Sequence, residues 1–224
     1  MLRSEAVPAQ IRPRNLIDHP VKDGVGLPAV KGISMPKLGM EPKRRAALVS
    51  AVIDEIGEAG SLDVTVSKIA KRAGMSSGLA HHYFGSKDQM LIAAMRHILK
   101  VFSQRVVKGL AEAQGPRSRL EAIIRANFED HVFDQRKTSA WLSFYALSQS
   151  NEDAAHLMQI YQRRLRSNLL HELRALSDQP EAIEQAVSAQ IDGVYLRAAL
   201  SKQEAVPMAA ETVVMTCCAL LGDA

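Results

Sequence analysis

The residues with the most readable chemistry lie between Thr65 and Phe84. Thr65 and Ser76 each head a short run of helical spacing, where a hydroxyl oxygen can accept an unpaired backbone N–H. Gly74 stands between the two runs, so the stretch reads as two short helices joined by a tight turn with glycine at its corner. Ile69, Ala70, Ala73 and Leu79 would hold the helices together, the small residues allowing a close crossing. The second helix then projects Ser77, Gly78, His81 and His82 outward, short or hydrogen-bonding groups able to reach base edges in a major groove. Thr65, Ser76, Tyr83 and Lys87 fall at helix ends or edges, where hydroxyl, N–H and ammonium donors meet phosphates. Lys43, Arg44 and Arg45, at the head of the preceding helix, add phosphate or minor-groove contacts. A plain helical hairpin could share the Ala-Gly turn alone. The pattern here runs for twenty residues with its flanking helices, and it predicts a double-stranded DNA partner.

A second group lies far downstream. Trp141, Phe144 and Tyr145 are three and four residues apart on one helical face, a stripe that serves a core as readily as a ligand box. Asp192 and Tyr195 lie on a later apolar helix. A carboxylate there is costly without a partner, which Arg197, Arg163 or a cationic ligand would supply. Trp141, Tyr145, Asp192 and Tyr195 together could form a pocket in which aromatic faces and one carboxylate attract a quaternary ammonium group. Gly193, mid-helix, implies close approach of another helix, across a dimer seam. His81 and His82 point about 100° apart on a helix and have no further ligand at metal spacing, so no metal is expected. His97, His131, His156 and His171 read as ordinary histidines. Cys217 and Cys218 read as small hydrophobes on a packed helix. No cofactor is expected.

These groups must be carried by helices. Apolar positions Leu48, Val49, Val52, Ile53, Ile56 and Ala59 follow Pro42 at a 3.6-residue period, with Gly60 placed to cap the end. Val66–Ala73 and Ser77–Phe84 are the two helices of the motif. Ser86 and Gln89 form a capping box for a long helix over about 87–112. Segments near 117–134, 136–149, 152–176, 180–201 and 207–221 repeat the three-and-four spacing, with Pro180 and Pro207 at helix starts. No stretch alternates with period two. The chain reads as all-α with about nine helices.

Composition bounds the function classes. Apolar residues are 47% and charged residues 23% of 224, enough for a sizeable core. No apolar run approaches the ~20 residues of a membrane span, and no signal-peptide pattern opens the chain, so a cytoplasmic location is expected. Two adjacent cysteines exclude a disulfide framework and a four-cysteine zinc site. The net charge of +4 is unevenly spread: +2 over residues 1–34, +4 over 35–100 and −2 over 101–224. Eight of the ten aromatic residues lie beyond residue 100. A small basic module joined to a larger, mildly acidic, aromatic-bearing one suggests two jobs in one chain. Residues 1–34, with four of the nine prolines, read as a disordered extension or an upstream leader, Met35 as the natural start. Residues 35–86 read as the DNA-binding domain, and 87–224 as a ligand-binding and dimerisation domain with 87–112 as its linking helix.

The run Lys68–Ser76 together with Tyr83-Phe84-Gly85-Ser86-Lys87 resembles the DNA-binding signature of the TetR family of bacterial one-component repressors. The resemblance spans about residues 35–202 and extends to that family's choline-responsive members, which control glycine betaine synthesis genes. It is carried by Met35–Met40, His82-Tyr83-Phe84, Ala140–Ala146, Arg163–Leu169 and Ile191–Ser201. Phe144-Tyr145 and Val194-Tyr195 depart from the Phe-Trp and Leu-Trp of those members, and His81 replaces a small hydroxyl residue. The resemblance implies a homodimeric repressor that binds a palindromic operator and is released by choline or another quaternary ammonium compound. The dimer is expected to close through Ile183, Val187, Val194 and Ala198 of one helix and Val213, Val214, Cys217 and Leu220 of the next. Two other readings stand beside it, a TetR-type regulator with a different effector and a non-specific architectural DNA-binding protein. An enzyme is not expected, since no H-E-x-x-H, G-x-S-x-G, phosphate loop or Glu-x-x-His pair occurs.

Overall fold

The computed structural model describes residues 40–128, 135–200 and 208–222. The expectations placed on residues 1–34, on Met35 through Gly39, and on His131 and Pro207 lie outside them. Among the described residues there are nine helices and no strand, as the spacing predicts: α1 (Met40–Ala59), α2 (Val66–Arg72), α3 (Ser77–Phe84), α4 (Lys87–Glu112), α5 (Gly115–Ala126), α6 (Gln135–Leu147), α7 (Glu152–Leu173), α8 (Pro180–Leu200) and α9 (Ala209–Leu220). None is long and apolar enough to cross a membrane.

The breakers act as the sequence implies. Gly60, Gly74 and Gly85 take φ of +63°, +67° and +76°, left-handed turns that an L side chain resists. Thr65, Ser76 and Ser86 cap α2, α3 and α4, each hydroxyl oxygen accepting the N–H three residues on at 3.2 Å. One boundary differs. The helix expected to run to 134 ends at Ala126, because the Asn127 side chain donates its amide to the Ile123 and Ile124 carbonyls at 2.9 and 3.3 Å. That bond closes the last turn in place of further helix.

α1 buries Leu48, Val52, Ile53 and Ile56, and packs on α2, α4 and α6. Ile69 and Ala70 join α2 to this core, while Ala80, not Leu79, is the fully buried residue of α3. α4 runs from the small helical unit into the larger one and packs on α1, α3, α5 and α7. Beyond it, α5, α7, α8 and α9 pack in succession, with α6 lying against α1, α7 and α8. One continuous apolar core, including Met95, Ile123, Phe144, Leu169 and Val187, links both units.

The expected dimer face is corrected by burial. Ile183, Val187, Val194, Ala198, Val213, Val214 and Cys217 all sit inside their own chain. Leu196, Leu200, Met215 and, of the residues expected at the face, Leu220 are the large apolar side chains left uncovered on these two helices, with Met208 at the cap of α9. Among the described residues nothing comes within 4 Å of a Cβ built on Gly193, so the close approach expected there does not occur between them. Gly193, Leu196 and Leu200 share one face of α8, three and four residues apart.

Candidate functional site

α3 offers one face to solvent. Gly78, His81 and His82 are exposed and Ser77 is half-exposed, whereas Ala80 is buried and Tyr83 and Phe84 pack against the core. The four outward residues fall at i, i+1, i+4 and i+5, a single stripe about one groove wide. Thr65 and Ser76 use a hydroxyl lone pair as a helix cap, which leaves each O–H free to donate to a phosphate. His81 Nδ1 lies 2.9 Å from the Gly85 carbonyl oxygen. The proton on that bond belongs to Nδ1, because a carbonyl only accepts. An imidazole with its one proton on Nδ1 offers Nε2 as an acceptor.

The basic triplet of α1 divides its tasks. Arg44 Nη1 donates to the Tyr83 hydroxyl at 3.4 Å. The Arg45 guanidinium lies 5.8 and 5.2 Å from the Tyr83 and Phe84 ring centroids, a cation–π arrangement, and pairs with Glu41 at 2.9 Å. Arg44 and Arg45 thus brace the end of α3, while Lys43 stays exposed. Sequence spacing assigns Arg44 and Arg45 phosphate or minor-groove contacts and no bracing role, since a contact across 39 residues leaves no local pattern. Lys87, half-buried, stands at the first turn of α4 just behind this face. Arg72 is not part of the cationic surface: it pairs with Glu55 at 2.5 Å and with Glu58, bonds that raise its already high pKa further.

Two residues of the second group face a cavity of about 290 Å³ between α1, α4, α6, α7 and α8. Trp141 and Tyr195 line it, joined by Phe102 and Tyr161. The rings lock edge to face: Trp141 and Tyr161 centroids are 5.1 Å apart at 78°, and Phe102 and Tyr161 are 5.5 Å apart at 70°. Buried Asn127 lines the same cavity and accepts from both tyrosines, its side-chain oxygen from Tyr161 at 3.4 Å and its carbonyl from Tyr195. Burial pushes both phenols well above their usual range, so they stay neutral. His97 also lines the cavity, its pKa lowered by desolvation and then by Lys100 and Lys137.

Tyr145 and Asp192 do not line this cavity. They meet each other instead, the Tyr145 hydroxyl donating to Asp192 Oδ1 at 2.7 Å. Tyr145 supplies the partner expected from Arg197 or Arg163; Arg163 Nε donates to the Gln159 carbonyl. Desolvation raises the Asp192 pKa, and the Tyr145 bond partly opposes the rise. Trp141 touches both groups, its ring 5.6 Å from that of Tyr145 at 89°. Phe102, Tyr161, Asn127, His97 and Asp54 were not legible as lining residues, because three different helices and a helix cap deliver them.

Two family models match the chain. Residues 48–94 match bacterial regulatory proteins of the tetR family, and residues 116–222 match the C-terminal domain of BetI-type transcriptional repressors. The HTH-type transcriptional regulator BetI of Brucella anthropi is 48% identical over 168 residues, covering 74% of this chain and 87% of that protein. Its counterpart from Rhizobium meliloti is 49% identical, covering 74% and 83%. A transcriptional regulator from Saccharomonospora viridis, solved in complex with choline, shares the fold at a TM-score of 0.70 and 20% identity, covering 81% of this chain and 96% of that one.

Proposed function

This chain belongs to the TetR family of DNA-binding transcriptional regulators, with a C-terminal domain of the BetI type, and from that premise we propose that it is a homodimeric repressor released from a palindromic operator by a small quaternary ammonium effector such as choline. The genes it controls would be those of glycine betaine synthesis. Residues 35–86 would bind DNA and residues 87–224 would bind the effector and close the dimer, with α4 linking them. Seated in a major groove, α3 would read bases through Ser77, Gly78, His81 and His82. Thr65, Ser76, Tyr83, Lys43 and Lys87 would fix its register on phosphates.

The cavity carries the effector reading. At about 290 Å³ it lies at the small end of ligand pockets, roughly 300–1,000 Å³, which suits a compact molecule rather than a lipid or a large drug. Four aromatic rings face it. A trimethylammonium group has no N–H to donate, so aromatic faces and a carboxylate are the chemistry that recognises it, each ring contributing about 0.5–2 kcal/mol once desolvated. The choline bound by the Saccharomonospora viridis regulator of the same fold supports this choice.

The dimer reading rests on Leu196, Leu200, Met215 and Leu220, apolar and uncovered on adjacent helices. A second copy related by a two-fold axis would bury them, and Gly193 would let the two α8 helices approach closely. Two copies of α3 would then lie about 34–36 Å apart, one DNA turn, or a little more. Arg105 and Lys137 also line the cavity, and this observation favours the second reading, an effector that is not a cation. Footprinting upstream of the protein's own gene, with and without choline, separates the cases. A palindromic footprint erased by choline supports the proposal. A palindrome insensitive to choline leaves a TetR-type regulator with another effector, and protection without a boundary supports an architectural protein.

A further inference from the structure

Asp54 is the carboxylate in the wall of the cavity, and it stands on α1, the first helix of the DNA-binding unit. Ser50 and Ile53 of the same helix line the cavity beside it. The other charged lining groups are already engaged or neutral. Arg105 and Lys137 each have interactions of their own within the fold, and desolvation and neighbouring lysines hold His97 toward its neutral form. Asp54 has no hydrogen-bond or ion-pair partner for its side chain among the described residues, whereas Glu55 and Glu58, on the same helix, are both paired with Arg72. Asp192, the acid that sequence spacing favours, is engaged by Tyr145 outside the lining.

Building on the quaternary ammonium reading, we infer that Asp54 supplies the negative charge that such an effector meets, so that the ligand binds across the joint between α1 and the C-terminal helices. The aromatic rings of Phe102, Trp141, Tyr161 and Tyr195 would surround the methyl groups while Asp54 balances the charge from the α1 side. A buried cation without a counter-charge is costly, and one carboxylate in the wall removes much of that cost. The placement has a direct consequence for control. Arg44 and Arg45, which brace Tyr83 and Phe84 at the end of α3, lie about 15 Å before Asp54 along one helix. A ligand drawn to Asp54 therefore acts on the helix that holds the reading head, with no intervening element.

The test compares choline with its uncharged isostere 3,3-dimethylbutan-1-ol by calorimetry, on the full chain and on two variants checked for helicity by circular dichroism. Wild-type protein should prefer choline by about tenfold or more. Asp54→Asn should bind the two compounds nearly equally, keeping its affinity for the alcohol, while Asp192→Asn keeps the preference. A preference undiminished in Asp54→Asn, or equal losses in both variants, overturns the assignment. Wild-type protein that binds the two compounds equally also overturns it, with the pocket reading intact. Wild-type protein that binds neither overturns the quaternary ammonium effector together with the role of Asp54.

Discussion

The Cα of Gly57 on α1 packs directly against Arg136 at the start of α6: a Cβ built on Gly57 would lie 2.5 Å from the Arg136 Cβ and carbonyl oxygen. Backbone meets backbone here, and no side chain can yield to make room. The same residue Arg136 reaches Glu58 at 3.5 Å, and Glu58 also holds Arg72 of α2. α6 carries Trp141 into the cavity wall. Any shift of α6 that repacks the ring of Trp141 is thus passed to α1 at its tightest contact. Gly57→Ala should force the two helices apart, at a cost of roughly 1–3 kcal/mol typical of overpacking. Thermal unfolding by circular dichroism checks the cost, and an unchanged melting temperature would show that the contact is looser than described.

Residues of the reading face should divide into two kinds by what they touch. Lys87→Ala should weaken binding to all DNA sequences about equally and lower the salt slope by roughly one for each phosphate left without its ammonium. Ser77→Ala and His82→Ala should cost about 1–3 kcal/mol on the specific site and little elsewhere. Arg44→Ala should behave as neither, loosening Tyr83 and lowering both affinity and discrimination. Anisotropy titrations on specific and scrambled duplexes at several salt concentrations separate the three patterns. A Lys87→Ala protein with reduced selectivity and undiminished non-specific affinity would contradict the assignment.

Much of this was legible in the sequence, and the reasons are physical. Hydroxyl caps and left-handed glycines act within four residues, so Thr65, Gly74, Ser76, Gly85 and Ser86 announced the helices they bound. The outward stripe of α3 followed from helical periodicity alone. The cavity did not follow. Trp141 and Tyr195 were legible as aromatic residues on apolar helices, but Tyr161, Phe102 and Asp54 reach the same space only through packing between helices. The dimer seam was assigned to buried residues for a related reason: periodicity marks Ile183, Val187, Val213 and Val214 as apolar-face residues, but it cannot say whether the chain itself covers that face.

Burying a charge in the uncovered apolar face should separate the subunits. Leu196→Glu or Leu200→Glu places a carboxylate where two copies of α8 would meet, and an unpaired charge at such a seam costs several kcal/mol. Light scattering should show the wild-type chain as a dimer and either variant as a monomer with native helicity. Both residues are exposed in the single chain, so folding should survive. A wild-type protein that stays monomeric at micromolar concentration would remove the dimer from the account.

Effector binding should respond to His97. Desolvation lowers its pKa from 6.5, with Lys100 and Lys137 adding to the effect, so the imidazole is neutral at pH 7. A cation bound beside it opposes protonation further, so the liganded form binds fewer protons. Affinity for choline should therefore be flat above pH 6.5 and fall as the pH drops below it. His97→Gln should flatten that profile. Calorimetry between about pH 7.5 and 5.5, the range in which a histidine titrates, reads both. A wild-type affinity that rose on acidification would have the wrong sign.

One titration probes the coupling between the cavity and α3: the affinity of the full chain for its footprinted operator, followed by anisotropy as choline is added. A ligand and DNA that favour opposed arrangements weaken each other by one shared coupling energy, typically about 1–3 kcal/mol or roughly 5–150-fold. Operator affinity should fall within that range and level off once the cavity is filled, and Trp141→Ala should respond only at higher choline. An operator affinity untouched by saturating choline, in protein shown by calorimetry to have bound it, would contradict the claim that this cavity controls the DNA-reading face.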